Sequence, residues 1–293
     1  MKVKDPHFVL EKIEKYIDED IRPSRIRAAA DIENWKYFET SMDDRIDDAW
    51  KPNYDDSAWQ DFRLWDTWGG YDKVAWFRTA IRVPESFRGG QVALKFLVGP
   101  RDGGDSTAET LLYLDGKPVQ GIDIWHEEAL LEPALCQKSE LQIALKAWSG
   151  VLVPPKFRTF KLAQLLLVDM AVDKFCFVID TVRRCALLLD DNDLRRIRLT
   201  KLLNETFQRV DFLNYKEESY YASIRNALDY IQGQLDDLAK TEEIKPSVYG
   251  VGHSHIDMAW LWRLSATREK ASRTFPTVLN LMKQYPEYRY MHS

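Results

Sequence analysis

Cysteine is scarce in this 293-residue sequence: Cys136, Cys176 and Cys185 are all there is, with no CxxC spacing. Three scattered thiols exclude a disulfide framework and a cysteine-built zinc site, and they are expected to be reduced and buried as small hydrophobes. Long apolar runs are missing as well. None approaches the roughly 20 residues that span a bilayer, so no membrane partner is expected. The opening MKVKDPHFVLEKIEKYIDED has lysines but no continuous apolar segment behind them, which argues against a secretory leader and for a cytoplasmic location. Positive charge is not in excess: 41 Lys and Arg stand against 46 Asp and Glu, a net charge of −5. Such a balance offers nucleic acid no general attraction. The one basic cluster, DLRRIRLTK at 193–201, lies between LLLDDNDL and LLNETF and reads as a solvated helix face.

What is present describes a soluble globular protein, 45% hydrophobic and 30% charged, long enough for more than one domain. Tryptophan is abundant. Six of the ten, Trp35, Trp50, Trp59, Trp65, Trp68 and Trp76, fall within 42 residues. Clustered indoles close a core or a domain interface when buried; exposed ones would point to sugar binding.

Periodicity divides the chain. In PHFVLEKIEKYIDEDI, Phe8, Ile13, Ile17 and Ile21 fall near helical spacing, predicting an amphipathic helix that ends before Pro23; a turn-rich connector follows, the two together filling residues 1–69. Residues 70–170 change to period two. VAWFRTAIRVPE alternates as a half-buried strand, GGQVALKFLVGP is bounded by Gly and Pro, and ETLLYLDGKPVQG carries an Asp115-Gly116 turn signal; SELQIALKAWSG and FKLAQLLLVDM add two more. An antiparallel β-sandwich is expected. Residues 171–240 return to three- and four-residue apolar spacing over three segments, a helical hairpin or bundle. A polar linker, KTEEIKPS at 240–247, ends at Pro246.

From 246 to 293 the pattern is strand, polar loop, helix, strand. SVYGVGHSHI reads as a buried strand, SATREKASRTFPTVLNLMKQYP as a helix capped by Ser265, and EYRYMHS as a second strand. That is the opening βαβ piece of a parallel α/β domain, so the fold class is multi-domain α+β. One strand and one helix cannot bury their apolar faces alone, so this segment is expected to be unfolded in isolation, packed on the helical region or held in an improvised arrangement. Catalytic groups in such folds collect at the carboxyl ends of the strands, where His253, His255 and Asp257 stand. In an extended chain residues i and i+2 point the same way, so His255 and Asp257 can reach one point. An imidazole nitrogen and a carboxylate oxygen are both ligands for a zinc-like ion, but two make only half a site. Hydrogen-bonded histidines at a strand end fit the spacing equally well, and His253 suits a group that orients a ligand. Trp260 and Trp262 fit either a core or a flat platform for a sugar ring.

GHSHIDMAWLW, with the TREKASRTFPTVLNLMKQYPEYRYMHS that follows, resembles the start of the catalytic domain of glycoside hydrolase family 38, the retaining α-mannosidases, in their cytosolic and bacterial branch. DDSAWQDFRLWDTWGGYDKVAWFRTAIRVPE and LLYLDGKPVQGIDIWHEEALL are similar to that branch's sandwich, of galactose-binding-like or jelly-roll type, and LLLDDNDLRRIRLTKLLNETFQRVDF to its helical linker. Essentially the whole chain is covered. The resemblance implies a parallel α/β barrel, with His255 and Asp257 as zinc (or other divalent) ligands, Trp260 lining the mannose subsite, and His253 without a ligand role. It implies terminal α-D-mannosyl residues of oligosaccharides as substrate, with the ion on the sugar hydroxyls and two carboxylates acting as nucleophile and acid/base. Those carboxylates and the remaining ligands lie further along in such enzymes. A barrel needs on the order of 250 residues, so no catalytic residue is expected within this chain; it should hold zinc poorly and be inactive without the remainder of the catalytic chain. The competing expectation is a carbohydrate-binding or oligomerisation module without catalysis, for instance in a homo-oligomer.

Overall fold

The computed structural model describes residues 6–44, 46, 48–99, 108–151, 153–155, 157–241 and 247–293. The chain divides into two units, one of Met1–Ala28 with Leu167–Ser247 and one of Ala29–Leu166 with Val248–Ser293. Of the polar linker at 240–247, residues 242–246 lie outside the described residues.

The first unit is helical: α1 (Pro6–Tyr16), α2 (Met170–Leu187), α3 (Leu194–Phe207) and α4 (Glu218–Thr241). Leu10, Ile13, Ile17 and Ile21, three and four residues apart, meet Val172, Phe175, Ile179, Tyr220, Ile224 and Ile231 in one apolar core. The start of α2 is fixed by Asp169, whose carboxylate accepts from the Ala171 and Val172 amides at 3.0 and 3.2 Å. The helical path does not stop before Pro23. It passes through a π turn at Ile17–Ile21 into a short helical turn at Arg22–Ser24, where proline's missing N–H falls at a new helix start and leaves nothing unpaired. Ser24 is then held by Tyr220, hydroxyl to hydroxyl at 2.8 Å, and by Tyr221, whose hydroxyl donates to its carbonyl at 3.1 Å. Within 193–201, Arg195 is exposed as expected, but Arg196 turns inward, donating to the Leu189 carbonyl at 2.9 Å and pairing with Asp191 at 2.7 Å. Cys136 and Cys176 are buried, and burial pushes the Cys176 thiol up to about 11; Cys185, expected inside, is exposed on the outer side of α2. No helix among the described residues is long and apolar enough to cross a membrane.

The second unit is built on two antiparallel sheets. One, in the order β1-β12-β6-β9, comprises β1 (Ile26–Asp31), β6 (Gln91–Leu97), β9 (Glu128–Leu130) and β12 (Leu162–Val168). The other, in the order β3-β2-β5-β10-β7-β8, comprises β2 (Trp35–Ser41), β3 (Gln60–Phe62), β5 (Lys73–Ile81), β7 (Glu109–Leu114), β8 (Lys117–Ile122) and β10 (Leu141–Trp148). A pair of short strands, β4 (Thr67–Gly69) and β11 (Phe157–Thr159), stands beside them. The β7–β8 hairpin turns on Asp115 and Gly116 at φ 46° and 76°, both left-handed, the geometry that matches strand twist. Trp35 from one sheet meets Phe96 from the other at 6.1 Å, edge to face. Phe160 packs 5.2 Å from Trp35 and 5.1 Å from Phe77 in the same core.

Two sequence expectations change here. Residues 26–69, read as largely connector, supply β1 to β4. β5, read as half-buried, is covered on both faces: Val74, Ala75, Trp76, Phe77, Arg78 and Thr79 are all buried. The cause is the segment 42–59, which folds back over the outer face and lays Met42, Ala49 and Trp59 on Val74, Trp76 and Ala144 as a second small core. The tryptophans follow suit. Trp35, Trp59, Trp68 and Trp76 are buried, Trp50 is part-buried, and only Trp65 of the six is exposed, so the cluster closes cores rather than presenting a sugar platform.

Candidate functional site

Residues 247–293 form the expected strand–helix–strand: β13 (Gly252–Ser254), α5 (Leu264–Gln284) and β14 (Tyr290–His292), with β13 and β14 paired in parallel, His253 opposite Met291. Two details differ from the sequence reading. β13 is short, and the residues before it are exposed rather than buried, Val248 and Tyr249 by about nine-tenths, because no further strand lies beside them among the described residues. Ser265 is not the helix cap: Arg263 occupies that position without a side-chain cap bond, and its guanidinium pairs instead with Asp43 at 2.6 Å and with Asp72.

The partner for α5 within its unit is the sandwich. β8 is the last strand of its sheet, so its outer backbone groups lack a neighbouring strand. Thr277 fills that role, its hydroxyl accepting from the Gly121 amide at 2.8 Å. Asn280 donates to Gln120 at 2.9 Å, Lys146 pairs with Glu269 at 2.6 Å, Lys283 with Glu132 at 3.1 Å, and buried Arg273 with Glu109. A polar row along one face of α5 thus closes the sheet edge. Close approach explains Gly252 as well: a side chain there would collide with the Tyr288 hydroxyl.

Just past β13 the structure brings His255 and Asp257 together, Nε2 to Oδ1 at 3.0 Å. The other ring nitrogen of His255, Nδ1, faces the Ser293 carbonyl oxygen at 3.2 Å. The Ser293 hydroxyl lies 3.4 Å from the same Nδ1, so that nitrogen has both a donor and an acceptor within reach, and Nε2 is the nitrogen turned to the carboxylate. Two donors at zinc-bond lengths in a tetrahedron lie roughly 3.3 Å apart, close to the separation seen. Both side chains are open to solvent, at 61% and 47%. Among the described residues no cluster of three or more His, Cys, Asp or Glu groups could hold a metal, so the pair supplies two donors only. His253 does not join them; its Nε2 lies 2.9 Å from the Ser293 hydroxyl. Trp260 is 70% exposed and stands edge-on to Trp262, ring centres 5.5 Å apart. The loop is tied to the first turn of α5 by Thr267, whose hydroxyl accepts from the Trp262 indole at 3.1 Å and lies 2.7 Å from the Met258 carbonyl, to which it donates.

The sequence reading passed over loop 123–126. Asp123 accepts from the amides of Trp125 and His126 at 2.7 and 2.9 Å and sits 3.0 Å from the His126 Nδ1. An Asp three residues before a His at a strand end was the available signal. The Asp123 hydrogen bond pushes the His126 pKa up against the opposing effect of burial. For Asp123 burial pushes upward, but the His126 bond and the two amides outweigh it and the carboxyl ends below its ordinary range. His126 therefore stabilises the fold fully below its unfolded pKa of about 6.5, and loses that contribution as pH rises through the higher folded value. Asp123 contributes above about pH 3.9 and less as pH falls through its lowered value. The stability lost in His126→Gln, followed by thermal unfolding, is expected to be largest between about pH 4.5 and 6 and to shrink by pH 8; a pH-independent difference would contradict the pairing.

Residues 37–164 match the family model of the alpha-mannosidase jelly roll domain, and residues 245–293 that of the glycosyl hydrolases family 38 N-terminal domain. Both matches point to the N-terminal portion of the α-mannosidases of glycoside hydrolase family 38, and the relatives similar to this chain are α-mannosidases. Alpha-mannosidase 2C1 of Homo sapiens is 25% identical over 255 residues, 80% of this chain and 23% of that protein. Alpha-mannosidase of Saccharomyces cerevisiae is 33% identical over 106 residues, 36% of this chain and 8% of that protein. Alpha-mannosidase G of Dictyostelium discoideum aligns over 310 residues at 19% identity, 99% of this chain and 27% of that protein. The chain spans about a quarter of the length of the human and Dictyostelium relatives.

Proposed function

We propose that this chain supplies the jelly roll and the first βαβ unit of a metal-dependent retaining α-mannosidase that removes terminal α-D-mannosyl residues from oligosaccharides. The observation that carries the reading is the convergence of the His255 Nε2 and the Asp257 carboxylate, 3.0 Å apart just past β13, in the segment that matches the family 38 N-terminal domain. His255 and Asp257 would hold a divalent ion, zinc by the nitrogen-plus-oxygen donor set, together with ligands from the remainder of the catalytic chain. Such an ion, when bound, supplies Lewis-acid stabilisation to the hydroxyls of the sugar. The Ser293 carbonyl, by holding Nδ1–H, leaves Nε2 as the metal-facing nitrogen. Trp260, exposed beside the pair, offers an indole face to the apolar side of the mannose ring. His253, bonded to Ser293, takes no ligand role. A reducing, cytoplasmic setting suits a chain whose three cysteines are all free.

The reading has two measurable consequences. The 293-residue chain alone is expected to leave an aryl α-mannoside intact and to lose zinc on gel filtration, since two donors hold the ion weakly; efficient hydrolysis by this chain would overturn it. In the whole gene product, His255→Ala and Asp257→Ala should each lower zinc content and hydrolysis together, and unchanged zinc content in both would remove the assignment.

A further inference from the structure

The jelly roll places a second aromatic side chain close to the candidate site. Trp125 is 83% exposed, yet it is not on a loose loop: Asp123 accepts from its amide and from that of His126, and His126 closes the turn from the other side. The three bonds fix the loop backbone that presents the indole, so a ligand that stacks on it orders little more of the main chain. Between this loop and α5 lies a cleft of about 420 Å³. Ile122 and Val278, both buried, give it an apolar floor, and Lys270, Thr274 and Tyr288 supply polar groups around it. Its charges balance, Glu109 and Asp123 against Arg273 and Lys270, with Arg273 paired to Glu109 and Asp123 bonded to His126, so the cleft carries no excess of either sign. A flat aromatic face, an apolar floor and dispersed hydrogen-bonding groups without net charge suit a neutral polyhydroxylated ring. The cleft is also lined by His253 and Ser254, the two residues directly before His255, so it opens beside the pair rather than across the molecule.

We propose that the Trp125 cleft is a sugar subsite contributed by the jelly roll, binding a mannosyl residue of an oligosaccharide beyond the residue held at His255, Asp257 and Trp260. This rests on the α-mannosidase reading for the identity of the sugar, but not for the existence of the site. It assigns substrate binding to a domain that the buried tryptophans of β2 to β5 had appeared to reserve for structure.

The test is calorimetric titration of the 293-residue chain with mannotriose, with cellotriose as control. The wild-type chain is expected to bind mannotriose in the millimolar range and cellotriose more weakly. Trp125→Ala should weaken mannotriose binding by about tenfold or more, with the circular dichroism spectrum and thermal midpoint unchanged because the side chain is exposed, while Trp260→Ala should leave most of the binding in place. No heat from the wild-type chain, equal binding of the two sugars, or a loss confined to Trp260→Ala would each overturn the subsite. The two readings fail separately. Binding that depends on Trp125, in a protein whose full-length form does not hydrolyse α-mannosides, keeps the subsite and discards the enzyme. Hydrolysis by the full-length protein that is indifferent to Trp125→Ala for an oligosaccharide and an aryl mannoside alike does the reverse.

Discussion

Asp56→Ala is expected to cost about 3 kcal/mol, the lower end of the range for removing one partner of a buried ion pair. Arg78 is 2% exposed at the centre of β5, and its Nε donates to the Asp56 carboxylate at 2.7 Å. The same guanidinium donates to the Ala49 carbonyl and lies over the Tyr54 ring, 5.5 Å from its centre. These contacts all reach into the segment 42–59, so Arg78 is the polar bolt of a cover that is otherwise apolar. Without Asp56 a full positive charge stays buried with only a carbonyl and a ring for company. Water reaches Asp56 itself, which is 29% exposed, and that places the loss at the lower end. Urea unfolding followed by tryptophan fluorescence measures it. Adding Arg78→Met to Asp56→Ala removes the orphaned charge, and the pair of changes should recover most of the loss. A single variant within about 1 kcal/mol of wild type, or a double variant worse than the single one, would show that the pair does not hold the cover in place.

Trp35→Ala should cost more, about 3–5 kcal/mol, the range for deleting a fully buried indole. Trp35 is 1% exposed, contacts Phe96 and Phe160, and donates its indole N–H to the Ile32 carbonyl at 3.1 Å. Its removal opens a cavity between the sheets and leaves the Ile32 carbonyl without that donor. Trp65, 68% exposed in the same tryptophan-rich stretch, should change stability by no more than about 0.5 kcal/mol when truncated. Equal effects at the two positions would contradict the division of the cluster into core and surface residues. The contrast carries a functional consequence. Because the cluster is mostly structural, the exposed indoles beside the candidate site are Trp125 and Trp260, which lie outside it.

Local pattern made several features legible. Three- and four-residue spacing marked α1 to α4, because a helix buries one stripe and the stripe recurs at that period. The Asp115-Gly116 pair marked the β7–β8 turn, because both positions need a left-handed backbone. The alternation of His255 and Asp257 placed two donors on one side of an extended chain, and they do converge. Other features were not local. β1 to β4 went unread because β3 and β4 have only three residues each, and because β2 and β4 are held by neighbours far along the chain, β5 and β11. The burial of both faces of β5 depends on a segment that folds back from residues 42–59. The cap predicted at Ser265 failed because Asp43 and Asp72, some two hundred residues away, draw Arg263 to the helix start.

What the sequence by itself determined is therefore the period of each segment and the chemistry of its side chains: helix, strand, an imidazole and a carboxylate two residues apart, three thiols too scattered to pair. Which partners those segments found was decided only by the tertiary structure. α1 joins helices more than 150 residues away because its stripe of Leu10, Ile13, Ile17 and Ile21 needs a cover that its neighbours in sequence lack. α5 lies on the edge of the jelly roll because an open strand edge and a row of polar side chains satisfy each other there. Burial and hydrogen bonding are settled between surfaces, and a surface exists only once distant parts of the chain have met.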